Sequence, residues 1–141
     1  MPVTDIAVVD FNPRVFHALK ERGIKVQYGD IAHAEVLRHA GLEKAEIVVS
    51  SVPDALLVGT SNERLARLVR AINPHAKIIA TADVIGNVQA LYAAGADHVI
   101  VSRFAEASAM LDAIRAAEDG LLEERRSELD TQLEGRQEIL P

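Results

Sequence analysis

Five short runs of β-branched and apolar residues recur along the chain, each followed by a stretch of helical periodicity, and this alternation constrains the fold more than any other feature. Ile6-Ala7-Val8-Val9 reads as a buried strand ending at Asp10. Lys25-Val26-Gln27-Tyr28, Ala45-Glu46-Ile47-Val48-Val49-Ser50, Lys77-Ile78-Ile79-Ala80 and His98-Val99-Ile100-Val101 supply four more. The first helix is expected from Pro13 to Arg22, with Phe16 and Leu19 inward and Gly23 as its stop. The second runs from His33 to Ala40, with Val36 and Leu37 inward and Gly41 closing it. A longer helix is expected from Ala55 to Ile72, with Leu56, Leu65, Leu68, Val69 and Ile72 as its apolar stripe and Asn73-Pro74 at its end. Asp83 is placed to cap a fourth helix that reaches Ala94 before Gly95. The last helix starts at Arg103 or Phe104 and is expected to turn Met110, Leu111 and Ile114 to the core. Strand and helix alternating at this spacing imply right-handed crossovers and a mainly parallel sheet with helices on both faces. The fold class is α/β.

A chain of 141 residues, 49% hydrophobic and 26% charged, has the length and apolar content for one core without covalent staples. Residues 1–117 read as that domain and 118–141 as a charged helical tail. In the tail Leu122, Leu129 and Leu133 share one side, while Gly120 and Gly135 interrupt it. A solvated terminal helix is the favoured reading there, and a lever or pairing segment the other. Cysteine is absent, which excludes disulfides, thiol catalysis and thiolate metal sites. A net charge of −6, 4% aromatics and no tryptophan disfavour a nucleic-acid partner, which requires concentrated positive charge or stacking surfaces. No apolar run is long enough to span a bilayer, and Met1-Pro2-Val3-Thr4-Asp5 has no leader pattern, so an intracellular domain is expected.

Open α/β sheets bind ligands outside the carboxyl ends of their strands. Three sets of polar residues fall there. Asp10 ends the first strand, where a carboxylate accepts hydrogen bonds from a ribose hydroxyl pair; it serves equally well as a cap for the helix that follows, as does Asn12. Gly29-Asp30 ends the second strand: Gly29 would let backbone approach a flat ring, and Asp30 would accept from an adenine amine or cap the next helix. Ser50-Ser51 ends the third and offers hydroxyl and backbone donors. The glycine-rich turn that cradles a pyrophosphate, Gly-x-Gly-x-x-Gly, is missing. The first glycine is Gly23, already past Asp10, as though the chain began one strand–helix unit late. His17, His33, His39, His75 and His98 show no metal-ligand spacing. Neither Ser50 nor Ser51 has a nucleophile-elbow context. No catalytic constellation and no metal site are expected.

The run Val8-Val9-Asp10-Phe11-Asn12-Pro13, then Gly29-Asp30, Val36-Leu37-Arg38-His39-Ala40-Gly41-Leu42, Ala45-Glu46-Ile47-Val48-Val49, Asn73-Pro74 and Ala94-Gly95-Ala96-Asp97-His98-Val99 resembles the RCK domain, also called the TrkA N-terminal domain, over residues 6 to 116. The segment from Ser50-Ser51-Val52-Pro53-Asp54 through Gly59-Thr60-Ser61-Asn62-Glu63-Arg64 is most similar to the branch found in Kef-type potassium-efflux and cation/proton antiporters. The resemblance implies a Rossmann-like fold that binds an adenine nucleotide or NAD(H) and, as a homodimer or larger homo-oligomer, biases a membrane potassium or cation transporter from the cytoplasmic face without catalysing a reaction. On the family's pattern Asp10 matches the ribose acid, with Asn12 and Arg14 beside it. Gly29 and Asp30 match the adenine side, and Ser50 and Ser51 the rim near the phosphates; Arg103 faces the same rim. The chain departs from the pattern in lacking the opening strand and its glycine turn. That strand is central, so its loss is expected to expose the edges of its two neighbours to pairing with another chain. The alternative function is an oligomerisation module that holds no nucleotide; a dehydrogenase would need a substrate domain and a hydride-positioning group that are not here.

Overall fold

β-branched runs of four to six residues have room for a strand and no more, and five strands form where those runs stand. In the computed structural model, which describes residues 5–138, β1 (Ala7–Asp10), β2 (Lys25–Tyr28), β3 (Ile47–Ser50), β4 (Lys77–Ala82) and β5 (His98–Val101) alternate with α1 (Pro13–Glu21), α2 (Ala34–His39), α3 (Asn62–Ile72), α4 (Val88–Ala93) and α5 (Ser102–Glu118); α6 (Leu122–Leu133) follows. The N-terminal residues inspected for a leader, up to Thr4, and the last three of the tail lie outside the described range. Every pairing among the described strands is parallel, as helical crossovers require.

The strands fall into two blocks. β1 pairs with β2, Val8 opposite Val26, and β3-β4-β5 form a second sheet, Val48 opposite Ile78 and Ala80 opposite Val99. No described strand joins β1 to β3. Among the described residues β1 and β3 therefore each have one edge without a strand neighbour. One core lies under both blocks: Leu37, Leu42, Ala66, Val69, Ile78, Ala80, Leu91 and Val99 are buried together, and Val9, Ile31 and Val48 pack against them. α1 is held on the first block by Phe16, whose ring meets that of Tyr28 edge-on at 5.9 Å.

Three helical expectations are corrected. α3 begins at Asn62 and not at Ala55: Gly59 takes φ +75°, Ser61 is extended, and its hydroxyl accepts the Arg64 N–H, so the helix starts afresh from that cap. Leu56, placed on the apolar stripe, sits in a short 3-10 turn and is exposed. Asp83 caps no helix; its carboxylate accepts the Ala55 N–H at 3.2 Å, and α4 starts only at Val88. α5 does not turn Met110, Leu111 and Ile114 to the core. All three are more than half exposed, and Ala116 is the residue it buries; α3 and α4, not α5, cover the core face of β3–β5. Leu122, Leu129 and Leu133 of α6 are likewise exposed, which fits a solvated helix and a pairing segment alike.

A clasp between α3 and the β5 turn stiffens this half. The Arg70 guanidinium donates to the carbonyls of Pro74 (2.7 Å), Ala76 (2.8 Å) and Gly95 (2.7 Å) and to the Asp97 carboxylate at 3.0 Å. Asp97 also accepts the Ile78 N–H at 2.8 Å. That backbone bond above all, with help from Arg70 and Lys77, holds the Asp97 carboxyl below its ordinary value of 3.8. A depressed carboxyl stabilises the folded state above its unfolded value and loses that contribution as pH falls toward the folded one. Asp97→Asn is therefore expected to lower the urea midpoint at pH 7 more than at pH 2.5. Equal losses at both would show that the charge contributes nothing.

Candidate functional site

Parallel strands bring their carboxyl ends to one edge, so the residues after β1, β2 and β3 share a rim. Asp10 closes β1 with its side chain half-buried. Its Oδ1 accepts the Asn12 N–H at 2.7 Å, turning the chain into α1, while from the described residues its second oxygen accepts no hydrogen bond. The Asn12 side chain accepts the Arg14 N–H at 2.9 Å and caps α1, with Pro13 at the first helical position. The expected Asn12 contact thus competes with a capping role, whereas the Arg14 side chain is exposed and makes no ion pair among the described residues.

β2 ends beside this turn. The Gly29 N–H donates to the Asp10 carbonyl at 3.2 Å, which joins the two strand ends. A Cβ on Gly29 would lie 2.8 and 2.9 Å from the methyls of Val36, so the glycine is demanded by the close approach of α2. Asp30 accepts the Ala32 N–H on Oδ1 at 2.8 Å, and its Oδ2 stands 3.4 Å from Nδ1 of His33. Both side chains are mostly solvent-exposed.

The third strand end is built differently. The Ser50 hydroxyl turns inward and donates to Oδ1 of Asn62, and the Ser50 carbonyl accepts the Thr81 hydroxyl at 2.9 Å. Asn62, fully buried at the start of α3, donates from Nδ2 to the Val52 carbonyl (2.9 Å) and to the Asp54 carboxylate (2.9 Å), which also accepts the Asn62 N–H at 2.7 Å. These bonds pin the segment after β3 to the helix that follows. Ser51 remains exposed at the rim. Arg103 sits in the first turn of α5, exposed, after β5.

Asp10, Gly29 and Asp30 thus form one cluster and Ser50 and Ser51 another, on opposite sides of the break between the sheets. The buried Asn62–Asp54 pair was not picked out from the sequence as a site feature. The Gly59-to-Ser61 stop and cap ahead of Asn62 were its only local signal.

The model of the TrkA-N domain matches residues 3–102. The glutathione-regulated potassium-efflux system protein KefC of Salmonella paratyphi B is 33% identical over 90 residues, which are 64% of this chain and 14% of that protein. The chain therefore corresponds to a small part of that relative's length. Among solved structures, the TrkA-N domain of the inner membrane protein ybaL from Escherichia coli superposes with a TM-score of 0.68 at 26% identity, covering 75% of this chain and 76% of that one. The GsuK channel bound to NAD gives a TM-score of 0.56 at 27% identity, covering 67% and 16%; a GsuK structure bound to ADP gives 0.57 at the same identity, covering 67% and 24%. Parallel strands, strand-end acids and a matching family model over most of the chain agree: it belongs to the TrkA-N, or RCK, domain family.

Proposed function

We propose that this chain is a non-catalytic regulatory domain of a potassium or cation transport system, and that it takes up an adenine nucleotide or NAD(H) along the strand rim. The observation that carries this reading is the Asp10 carboxylate, held at the end of a parallel strand by one oxygen with the other unclaimed by the described residues. Two adjacent ribose hydroxyls are the donors such a group suits. Asp30, joined to Asp10 through Gly29, takes the adenine side. Arg14 and Ser51 are the exposed groups nearest the phosphates, while Ser50 and Asn62 hold the phosphate-side segment in place. GsuK, related at 27% identity, has been solved with NAD and with ADP, which supports the same ligand class here.

A regulator acts only if its ligand prefers one of two arrangements. In this reading the second arrangement lies in a homodimer or larger homo-oligomer at the cytoplasmic face of the membrane. The exposed Phe104, Met110, Leu111 and Ile114 of α5 supply the apolar contact. Among the described residues no helix is long and apolar enough to cross a membrane, so the pore is contributed by another polypeptide segment. The break between the sheets favours a second reading, an assembly module without nucleotide, because no described strand joins the Asp10 cluster to the Ser50 cluster.

Titration of ADP and NAD into the wild type and Asp10→Asn separates the two. Asparagine keeps an acceptor for the Asn12 N–H but loses the charge that draws the ribose hydroxyls. A hydrogen bond to a charged group contributes about 1.5–3 kcal/mol, so affinity is expected to fall about 10- to 150-fold. Unchanged affinity would remove Asp10 from the site.

A further inference from the structure

The two strand-end acids differ in how their own turns use them. Asp10 gives one oxygen to the Asn12 N–H and leaves the other to the rim. Asp30 has both oxygens engaged: Oδ1 accepts the Ala32 N–H at 2.8 Å, and Nδ1 of His33 stands 3.4 Å from Oδ2. The backbone keeps the ring there, since the His33 N–H donates to the Asp30 carbonyl at 3.1 Å and closes the turn. His33 is extended just ahead of α2, with φ −101° and ψ 119°, and its side chain caps no helix N–H. Among the described residues Asp30 is the only ionic neighbour of the imidazole.

Other charged and titratable groups surround this turn. Glu35 and Arg38 of α2 pair with each other at 2.9 Å, and Arg38 also reaches Glu43 at 3.5 Å. Tyr28 closes β2, Asp10 closes β1 across the Gly29 hydrogen bond, Arg14 lies in the first turn of α1, and His39 ends α2. None of these forms an ion pair with His33.

Imidazole gains its charge between about pH 8 and 5. The charged ring donates from both nitrogens, whereas the neutral ring keeps a lone pair on one of them. With Nδ1 protonated, His33 donates to Oδ2 and stands where an incoming amine has to approach. With the lone pair on Nδ1 it repels Oδ2, and the side chain, 70% exposed, is free to turn into solvent.

We infer that His33 gates the adenine side of the site: the protonated ring holds Oδ2 of Asp30 against the adenine amine, and the neutral ring gives it up, so nucleotide binds more weakly as pH falls. This deepens the nucleotide reading above and rests on it. The open oxygen of Asp10 is not gated by the ring, so the device grades affinity without abolishing it. Both members of the pair are more than half exposed, which limits the effect to a few-fold.

The test is to titrate NAD into the wild type, His33→Gln and Asp30→Asn at pH 5.5 and 8.0. NAD is chosen because its phosphates keep a constant charge over this range, whereas a terminal phosphate such as that of ADP titrates within it. Wild-type affinity is expected to be about three- to fivefold weaker at pH 5.5, and in each variant the two affinities should coincide. By reciprocity, NAD should displace the titration of the His33 ring protons, followed by NMR, to lower pH. Without nucleotide, Asp30→Asn should displace it in the same direction. Equal wild-type affinities at the two pH values, or a dependence that persists in His33→Gln, would overturn the gate while leaving nucleotide binding intact. An unmoved His33 titration in Asp30→Asn would show that the pair does not form, and would overturn the gate whatever NAD does. Failure of NAD to bind at either pH, with that titration displaced, would instead remove the nucleotide from the rim and the gate with it.

Discussion

Replacing Asn73 by alanine is expected to cost about 3–5 kcal/mol of stability, the size associated with stranding several buried backbone groups at once. Asn73 is 6% exposed and stands where α3 gives way to β4. Its amide nitrogen donates to the carbonyls of Leu42 and Ala45, both at 2.9 Å, and its oxygen accepts the N–H groups of His75 and Ala76, both at 3.1 Å. One side chain therefore joins the turn that enters β3 to the turn that enters β4. Alanine leaves those groups without partners in a site that admits little water. Urea unfolding followed by circular dichroism checks this. A midpoint within error of wild type would mean that water or a shifted turn satisfies them.

Asn62→Ala is expected to cost about 2–4 kcal/mol by the same physics, since the Ser50 hydroxyl and the Val52 carbonyl lose their partner and the Asp54 carboxylate keeps only the backbone N–H of residue 62. Its signature differs from that of Asn73. The segment from Ser51 to Ser61 has few apolar anchors, with Leu56 and Val58 exposed, so amide exchange there should quicken before the rest of the domain loosens. Asn62→Asp should be worse than alanine, because it sets a second carboxylate against Asp54 at neutral pH. If both variants keep wild-type exchange in residues 51–61, the buried amide does not organise that segment.

The strands were legible because each is a compact β-branched run bounded by polar or glycine residues, and the turns at Gly23, Gly41 and Gly95, all at positive φ, follow from the same punctuation. The start of α3 was not. Ala55-Leu56-Leu57-Val58 continues the apolar spacing of the helix behind it, and only Gly59 and the Ser61 cap show that the chain turns first. The pairing that holds this turn lies beyond local reading: Asp54 meets Asn62 across eight residues, and Asp83 meets Ala55 across 28. In the candidate site, Asp10 and Asp30 were readable as strand-end acids. The inward hydroxyl of Ser50 was not, because its direction is set by Asn62 on the next helix. Gly29 was read as an approach to a flat ring, and the structure supplies a packing reason for glycine there instead, the methyls of Val36. The apolar residues of α5 had the composition of a core face, but α3 and α4 cover one face of β3–β5 and α5 leaves the other, with Ile47, Val49 and Ile100, exposed.

The central claim, that this domain holds an adenine nucleotide, is tested most directly by a thermal-shift series with AMP, ADP, ATP, NAD and NADH on the wild-type chain. A ligand at a hundred times its dissociation constant adds about 2.7 kcal/mol to the folded state, which for a domain of this size raises the midpoint by roughly 5–10 °C. Such a rise is expected with at least one of the five, as is its loss in Asp10→Asn. A folded sample whose midpoint moves with none of them would contradict the account and leave the domain as an assembly module.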